Sequence, residues 1–291
     1  VKGQAARIAG VAVVHWNARA SVGSGPVTRR VRWPHRRANN FGDLLGPLVV
    51  WALVERGRDT TGEASGGGTA DANRATASSA RLLTVGSILH LAQPGDVVWG
   101  TGVNGKVPEW SYRPRDLDLR AVRGPRTAAA LRERGLDVPD VFGDPGLLAP
   151  TLLGVTRAAE PRGVVLLPNL HDESRWRGLP GYVSPRTPAR EVIAAVASAE
   201  AVIASSLHGI VIADALGVPS AVVQPRAEPP FKYQDYYEGT GREAPAFAAD
   251  PDAARAVIAE PALDLDAVTV TLLAAFPWDL WGRTDAGSAS R

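Results

Sequence analysis

The sequence predicts an α/β protein of two halves, each an open and mostly parallel sheet, with a cleft between them. Three observations carry that expectation. Short β-rich runs alternate with helical runs along the chain, the pattern of parallel sheets covered by helices. Several of those short runs feed directly into glycine- or proline-bearing turns. At 291 residues the chain exceeds what one compact core usually absorbs, so two domains are expected. The composition, 45% hydrophobic and 21% charged, is ordinary for a globular fold and argues against disorder.

Ile8 to His15 reads as the first strand, too short and too quickly followed by Trp16 and Arg19 to be a signal core. A helix is expected from about Asp43 to Arg56, with Asp43 in its first turn and Gly57 near its end. Its greasy stretch, Leu44 to Val54, contains Gly46 and Pro47 and falls short of the roughly 20 residues a membrane span needs. Residues 60–79 turn to Gly, Ser, Thr and Ala and are expected to form a mobile loop. Leu82 to Val85 and Asp96 to Trp99 read as strands ending in Gly86-Ser87 and Gly100-Thr101-Gly102. Leu117 to Val122 is a further strand, where Pro125 suits the start of the next helix and Gly135 its cap.

The proline- and glycine-bearing stretch from Asp140 to about Pro161 is the expected crossing, which divides the chain into 1–150 and 151–291. The second unit repeats the alternation. Its strands are Gly163 to Leu167, Ala201 to Ala204 and Val218 to Val223. Its helices are Thr187 to Ser198, His208 to Leu216, Pro251 to Glu260 and Leu263 to Phe276, the last placed to pack back on the first unit.

The chain has no cysteine, which excludes disulfides, a thiolate zinc site and a cysteine nucleophile. No spacing among its five histidines and nearby carboxylates suggests a metal site. Lys2, Lys106 and Lys232 are the only lysines, and Arg, Ala, Gly and Pro are abundant together, as GC-rich coding favours. With a formal net charge of +2, a nucleic-acid partner is not expected. The basic cluster Arg29, Arg30, Arg32, His35, Arg36 and Arg37 reads as a solvated loop, or as a docking patch for an anionic substrate or a membrane surface.

The sharpest local signal runs from Val202 through Ser205, Ser206, His208 and Gly209 to Gly217 and Pro219. A buried strand ends in two serines and a helix opens at His208, so free N–H groups and the positive helix end make a natural anion site. Alone, the stretch reads more simply as a serine N-cap with a helix-start histidine. Gly100 to Gly105 is no dinucleotide fingerprint, because Pro108 and Pro114 break any helix that would follow. His15 and His90, beside apolar runs, are expected to serve the fold.

With four other segments in matching order, this stretch resembles the polysaccharide pyruvyl transferase family, in its exopolysaccharide ketalase-like branch. Asn40-Phe41-Gly42-Asp43 with Leu45 is similar to the family's N-terminal element. Val85-Gly86-Ser87-Ile88-Leu89 and Val98-Trp99-Gly100-Thr101-Gly102 are similar to its paired glycine turns. Val122-Arg123-Gly124-Pro125-Arg126-Thr127 resembles its arginine turn, and Phe231-Lys232-Tyr233-Gln234-Asp235-Tyr236-Tyr237 its lysine-and-aromatic segment. The likeness covers about Asn40 to Tyr237.

The resemblance implies two Rossmann-like domains facing across a cleft, as in GT-B-type glycosyltransferases, with the acceptor on the first and phosphoenolpyruvate on the second. It implies transfer of a pyruvyl group from phosphoenolpyruvate, with no cofactor, onto a sugar or lipid-linked oligosaccharide as a ketal. The expected place is the bacterial cytoplasm, including the inner face of the membrane. His208 would protonate the enol or clamp phosphate. Asp43 would be the base at the sugar hydroxyl, or simply an acid at a helix start. The substrate-binding candidates are Arg123, Arg126, Ser205, Ser206, Gly209, Lys232, His171, Asn40, Gly86, Ser87, Gly100 and Thr101. Ser206 stands where many members carry arginine, and Gly124 where many carry aspartate, so Arg126, Arg226 or Lys232 is expected to supply the missing charge. The alternatives are a sugar-nucleotide glycosyltransferase or epimerase of the same architecture, and an inactive glycan-binding relative.

Overall fold

A computed structural model describes residues 4–17, 39–61, 80–107, 111–112 and 116–283. Two sheets organise them. The first holds β1 (Gln4–Ile8), β2 (Val11–His15), β3 (Arg81–Leu83), β4 (Asp96–Trp99) and β5 (Leu117–Ala121) in chain order. Its first pair is antiparallel and the rest are parallel. The second holds β6 (Val164–Leu167), β7 (Ala201–Ala204), β8 (Ser220–Val223) and β9 (Phe247–Ala248), all parallel. Parallel neighbours need long crossovers, which helices commonly provide. These are α1 (Phe41–Thr61), α2 (Pro125–Arg132), α3 (Ala149–Leu152), α4 (Glu173–Trp176), α5 (Ala189–Ala197), α6 (Leu207–Ala215), α7 (Phe231–Gly239), α8 (Pro251–Arg255) and α9 (Leu265–Ala274). The mixed α/β class with parallel sheets is thus the one the sequence predicts.

Several elements differ from the expectation. The first strand is a hairpin: Ala9 at φ 44° and Gly10 at φ 93° form a two-residue left-handed turn, and Gln4 pairs with His15. That twist matches the twist of the strands it joins. α1 starts before Asp43 and passes Gly57 to reach Thr61. Gly57 does not cap it; the Arg283 guanidinium and the Trp278 ring lie where a side chain there would stand. Residues 60 and 61 of the expected loop are therefore helical. The remainder of that loop and the Arg29 to Arg37 cluster lie outside the described residues. The lysine-and-aromatic segment folds as α7. α8 stops at Arg255, and Ala259 bridges to Ser220 instead of extending it.

α1 fastens the two halves. Phe41, Leu45, Val49, Val50 and Leu53 are buried along it, in one core cluster that also holds Val11 and Val13 of β2, Val192 of α5 and Ile210 of α6. Each such side chain contributes roughly 1.5–3 kcal/mol on burial. The C-terminal chain returns to the first sheet. Trp99 Nε1 donates to Leu272 O at 2.9 Å, and Trp281 Nε1 to Ile8 O at 3.1 Å. Phe276 meets the Trp99 ring edge-on, centroids 4.9 Å apart. Among the described residues no helix is long and apolar enough to cross a membrane.

Candidate active site

Residues that follow the carboxyl ends of strands in both sheets line one pocket of about 360 Å³. Ligand sites of open α/β sheets lie in this position. The first half supplies Trp16 after β2, Ser87, Ile88 and His90 after β3, Asn104, Lys106 and Val107 after β4, and Asn40 and Asp43 at the start of α1. The second supplies Asn169, Leu170 and His171 after β6, Ser206, Leu207 and His208 after β7, Glu228 after β8, and Lys232 in α7. Of the residues the sequence singled out, Asn40, Asp43, Ser87, His171, Ser206, His208 and Lys232 meet here.

The entry to α1 is fixed from two sides. Asn17 Nδ2 donates to Asn39 Oδ1 at 3.1 Å, and Asn39 N returns a bond to Asn17 Oδ1 at 3.0 Å. Phe41 N donates to Pro185 O in the second half at 2.9 Å. Asp43 is thereby held in the pocket wall, where Asn40 Nδ2 donates to its Oδ2 at 2.8 Å. Burial pushes the Asp43 carboxyl above its ordinary range, partly opposed by the Asn40 bond and by His208 and Lys232. A carboxylate raised toward neutrality suits proton abstraction better than an ordinary one.

α6 opens beneath the opposite wall. Ser206 occupies the N-cap position with extended backbone, φ −89° and ψ 124°, yet its hydroxyl makes no capping bond and lines the pocket. Ser205 is a brace. Its Oγ accepts from Asn169 N at 3.1 Å, and its carbonyl accepts from Tyr233 OH at 2.6 Å. Gly209 is packing: its bare Cα sits against Leu167 and Ala204, and its N–H donates to Ser206 O. His208 meets Phe41 edge-on, and its Nε2 lies 3.7 Å from Asp144 Oδ2. α1 and α6 touch at their first turns, where a Cβ on Gly42 would overlap the His208 ring.

The cationic end centres on Glu228. Lys232 Nζ donates to Glu228 Oε2 at 3.1 Å, Lys106 pairs with Oε1 from the first half, and His171 Nε2 lies 3.6 Å from Oε1. Burial pulls the Lys232 ammonium below its ordinary range, and Glu228 opposes that. Burial would raise the Glu228 carboxyl, but the Lys232 charge and then the Lys106 bond outweigh it and hold the group low.

The arginine turn does not reach the pocket. Arg123 is fully buried, and its guanidinium donates to Asp235 Oδ2 at 3.0 Å, Ser87 Oγ at 2.6 Å and Val103 O at 2.6 Å. Arg126 is engaged by Glu238 at 2.6 Å. Both acids come from α7, which approaches so closely that a Cβ on Gly124 would strike the Asp235 carbonyl. An aspartate at 124 could not be accommodated against this α7. Arg226 is exposed and outside the lining. Gly86, Gly100 and Thr101 stand behind the wall. Thr101 Oγ1 donates to Gly86 O at 2.7 Å, and Gly100 lies against Pro145. Asn169, Lys106, Glu228 and Asp144 were missed from sequence. Only Lys106 carried a signal, as one of the three lysines in the chain. His90, expected to serve the fold, lines the pocket.

The family model for polysaccharide pyruvyl transferase matches residues 64–225, more than half of the chain. Succinoglycan biosynthesis protein ExoV of Rhizobium meliloti (strain 1021) is 30% identical over 179 residues, covering 55% of this chain and 54% of that protein. The chain thus spans about half the length of this curated relative. No solved structure matches it.

Proposed function

The chain belongs to the polysaccharide pyruvyl transferase family, and from that premise we propose that it moves the pyruvyl group of phosphoenolpyruvate onto a sugar of a bacterial exopolysaccharide or cell-surface glycan precursor as a ketal. The observation that carries the reading is the convergence of Asp43, His208 and Lys232, from three separate motifs, on one pocket. The relative's part in succinoglycan biosynthesis supports the polymer class. The two α/β halves, 1–150 and 151–291, would act as GT-B-type domains, the first holding the acceptor and the second the donor.

Phosphoenolpyruvate brings a phosphate and a carboxylate close together and needs two anion-binding features. Lys232 with Lys106 supplies one, and the N–H groups and dipole at the start of α6 supply the other. Protonation of C3 of the enol leaves an oxocarbenium-like C2, and His208 supplies that proton or clamps the phosphate. A sugar hydroxyl attacks C2 as Asp43 takes its proton. Phosphate departs with the C–O bond pair, and a second hydroxyl of the same sugar closes the ketal with loss of its proton. Donor and acceptor account for all atoms, so no cofactor is required.

Mass spectrometry of candidate glycans incubated with protein and phosphoenolpyruvate tests this, the pyruvyl increment being the expected product. His208→Ala is expected to cut turnover about 100-fold or more while remaining folded. Near-normal turnover in that variant would remove both roles for the histidine. Thermal protection by nucleotide sugars and not by phosphoenolpyruvate would move the protein to the glycosyltransferase reading.

A further inference from the structure

His208 has a partner behind it that the transfer scheme does not use. Asp144 is fully buried at the start of a single 3-10 turn, Pro145–Leu148. Its Oδ1 accepts from Gly146 N at 2.8 Å, which caps that turn. Its Oδ2 is buried and has no hydrogen-bond partner among the described residues. The same is true of His208 Nε2, and the two atoms face each other at 3.7 Å. Buried polar atoms are nearly always satisfied, so two orphans set opposite one another form a pair that is poised but open. At 3.7 Å no hydrogen bond is yet made, but catalytic bonds often tighten only when substrate is bound. The other ring nitrogen, Nδ1, lies on the α1 side of the ring, against Gly42. Neutral imidazole carries a proton on one nitrogen and a lone pair on the other, and the bond made by the first decides which.

We infer that Asp144 is the positioning residue of His208: it holds the ring as the Nε2–H tautomer and makes Nδ1 the nitrogen that serves the pocket. The buried carboxylate also supports the imidazolium that proton transfer requires, as the acid of a His–Asp pair does elsewhere. The consequence for transfer rests on the proposed function, whereas the pairing does not. The charged and titratable groups that line the pocket with the ring are Asp43 on α1, His90 after β3, Lys106 after β4, His171 after β6, Lys232 on α7 and Glu228, which Lys106 and Lys232 hold. All of them are unchanged in the variant below.

Nitrogen-15 NMR of the histidine rings, recorded without substrate on wild type and Asp144→Asn, tests the pairing. His208 is assigned by loss of its signals in His208→Gln. Asparagine keeps an oxygen for the Gly146 cap but removes the charge. The expected wild-type spectrum is the Nε2–H tautomer. In Asp144→Asn that preference is lost, because the carboxylate that accepts the Nε2 proton has gone. Turnover is expected to fall about 10-fold or more with little change in KM for phosphoenolpyruvate. A wild-type Nδ1–H tautomer would overturn the inference even if Asp144→Asn fails to fold, as would an Asp144→Asn spectrum identical to wild type. Failure of pyruvyl transfer itself leaves these NMR readouts standing, so the two proposals fail separately.

Discussion

Taking an ammonium out of water is costly unless an anion lies close, and at Lys232 that anion is Glu228 at 3.1 Å. Its Nζ also lies 5.2 Å from the Tyr233 ring centroid, within cation–π reach. Lys232→Ala is expected to weaken phosphoenolpyruvate binding about 10-fold or more by calorimetry. Lys232→Arg should recover only part of it, and Ser206→Arg on top of Lys232→Ala should return charge to the same pocket. Unchanged affinity in Lys232→Ala would take the lysine out of the donor site. Arg123 leads to a different experiment. Its charge is spent on Asp235 with both side chains wholly buried, so Arg123→Ala strands a carboxylate. The expected result is a loss of about 3–5 kcal/mol in denaturant unfolding, rather than a selective rise in donor KM. A fully stable Arg123→Ala with only KM raised would contradict this. The motif around Arg123 was legible in sequence, but the acid that takes its charge lies 112 residues away, and no local pattern records such a pairing. Lys232 was legible because scarcity is a property of the sequence itself.

The contact between α1 and α6 decides where His208 stands. Gly42 has no side chain, and the His208 ring fills the space a Cβ would take. Gly42→Ala must displace the ring or part the helices, and overpacking of this kind costs about 1–3 kcal/mol. Turnover should fall by at least about 10-fold, beyond what the modest drop in melting temperature explains, because a small misplacement of a reacting group is costly. Retained turnover together with an unmoved His208 NMR signal would show that the two first turns have slack. The strands β6, β7 and β8 and the helices α5, α6 and α9 were legible to within a few residues because buried apolar runs there are bounded by glycine and proline. The hairpin escaped because Ala9-Gly10 lacks the usual Asn-Gly signal. α7 escaped because its buried face is tyrosine and aspartate: Tyr233, Asp235 and Tyr236 bond to Ser205, Arg123 and Asp214, an inward pattern set by partners rather than by hydropathy. β9 has only two residues, too short for any alternation to show.

Across the whole molecule, the same pocket that gathers the motifs also ties the halves together electrostatically. Lys106 comes from the loop after β4, while Glu228 and Lys232 come from the segment after β8, so the triad is a bridge between the halves as well as a lining. Glu228 holds the place that a donor anion would need, since its carboxylate already engages both lysines. Glu228→Gln should therefore have two effects of opposite sign. Near neutral pH the free protein should lose stability, because two lysines are left without their anion. The carboxyl is held below its ordinary value of 4.5, so its ionisation stabilises the folded chain fully above that value. That contribution is lost as pH falls through the lower folded value, and the stability gap between wild type and Glu228→Gln should close over the same interval. Donor affinity should move the other way. With no internal carboxylate to displace, phosphoenolpyruvate should bind several-fold tighter to Glu228→Gln, because like charges near a bound anion weaken it. Thermal unfolding across pH and calorimetry at neutral pH read the two effects separately. If affinity falls together with stability, Glu228 orients Lys232 for the donor instead of competing with it, and the anion must bind beside the bridge rather than in its place.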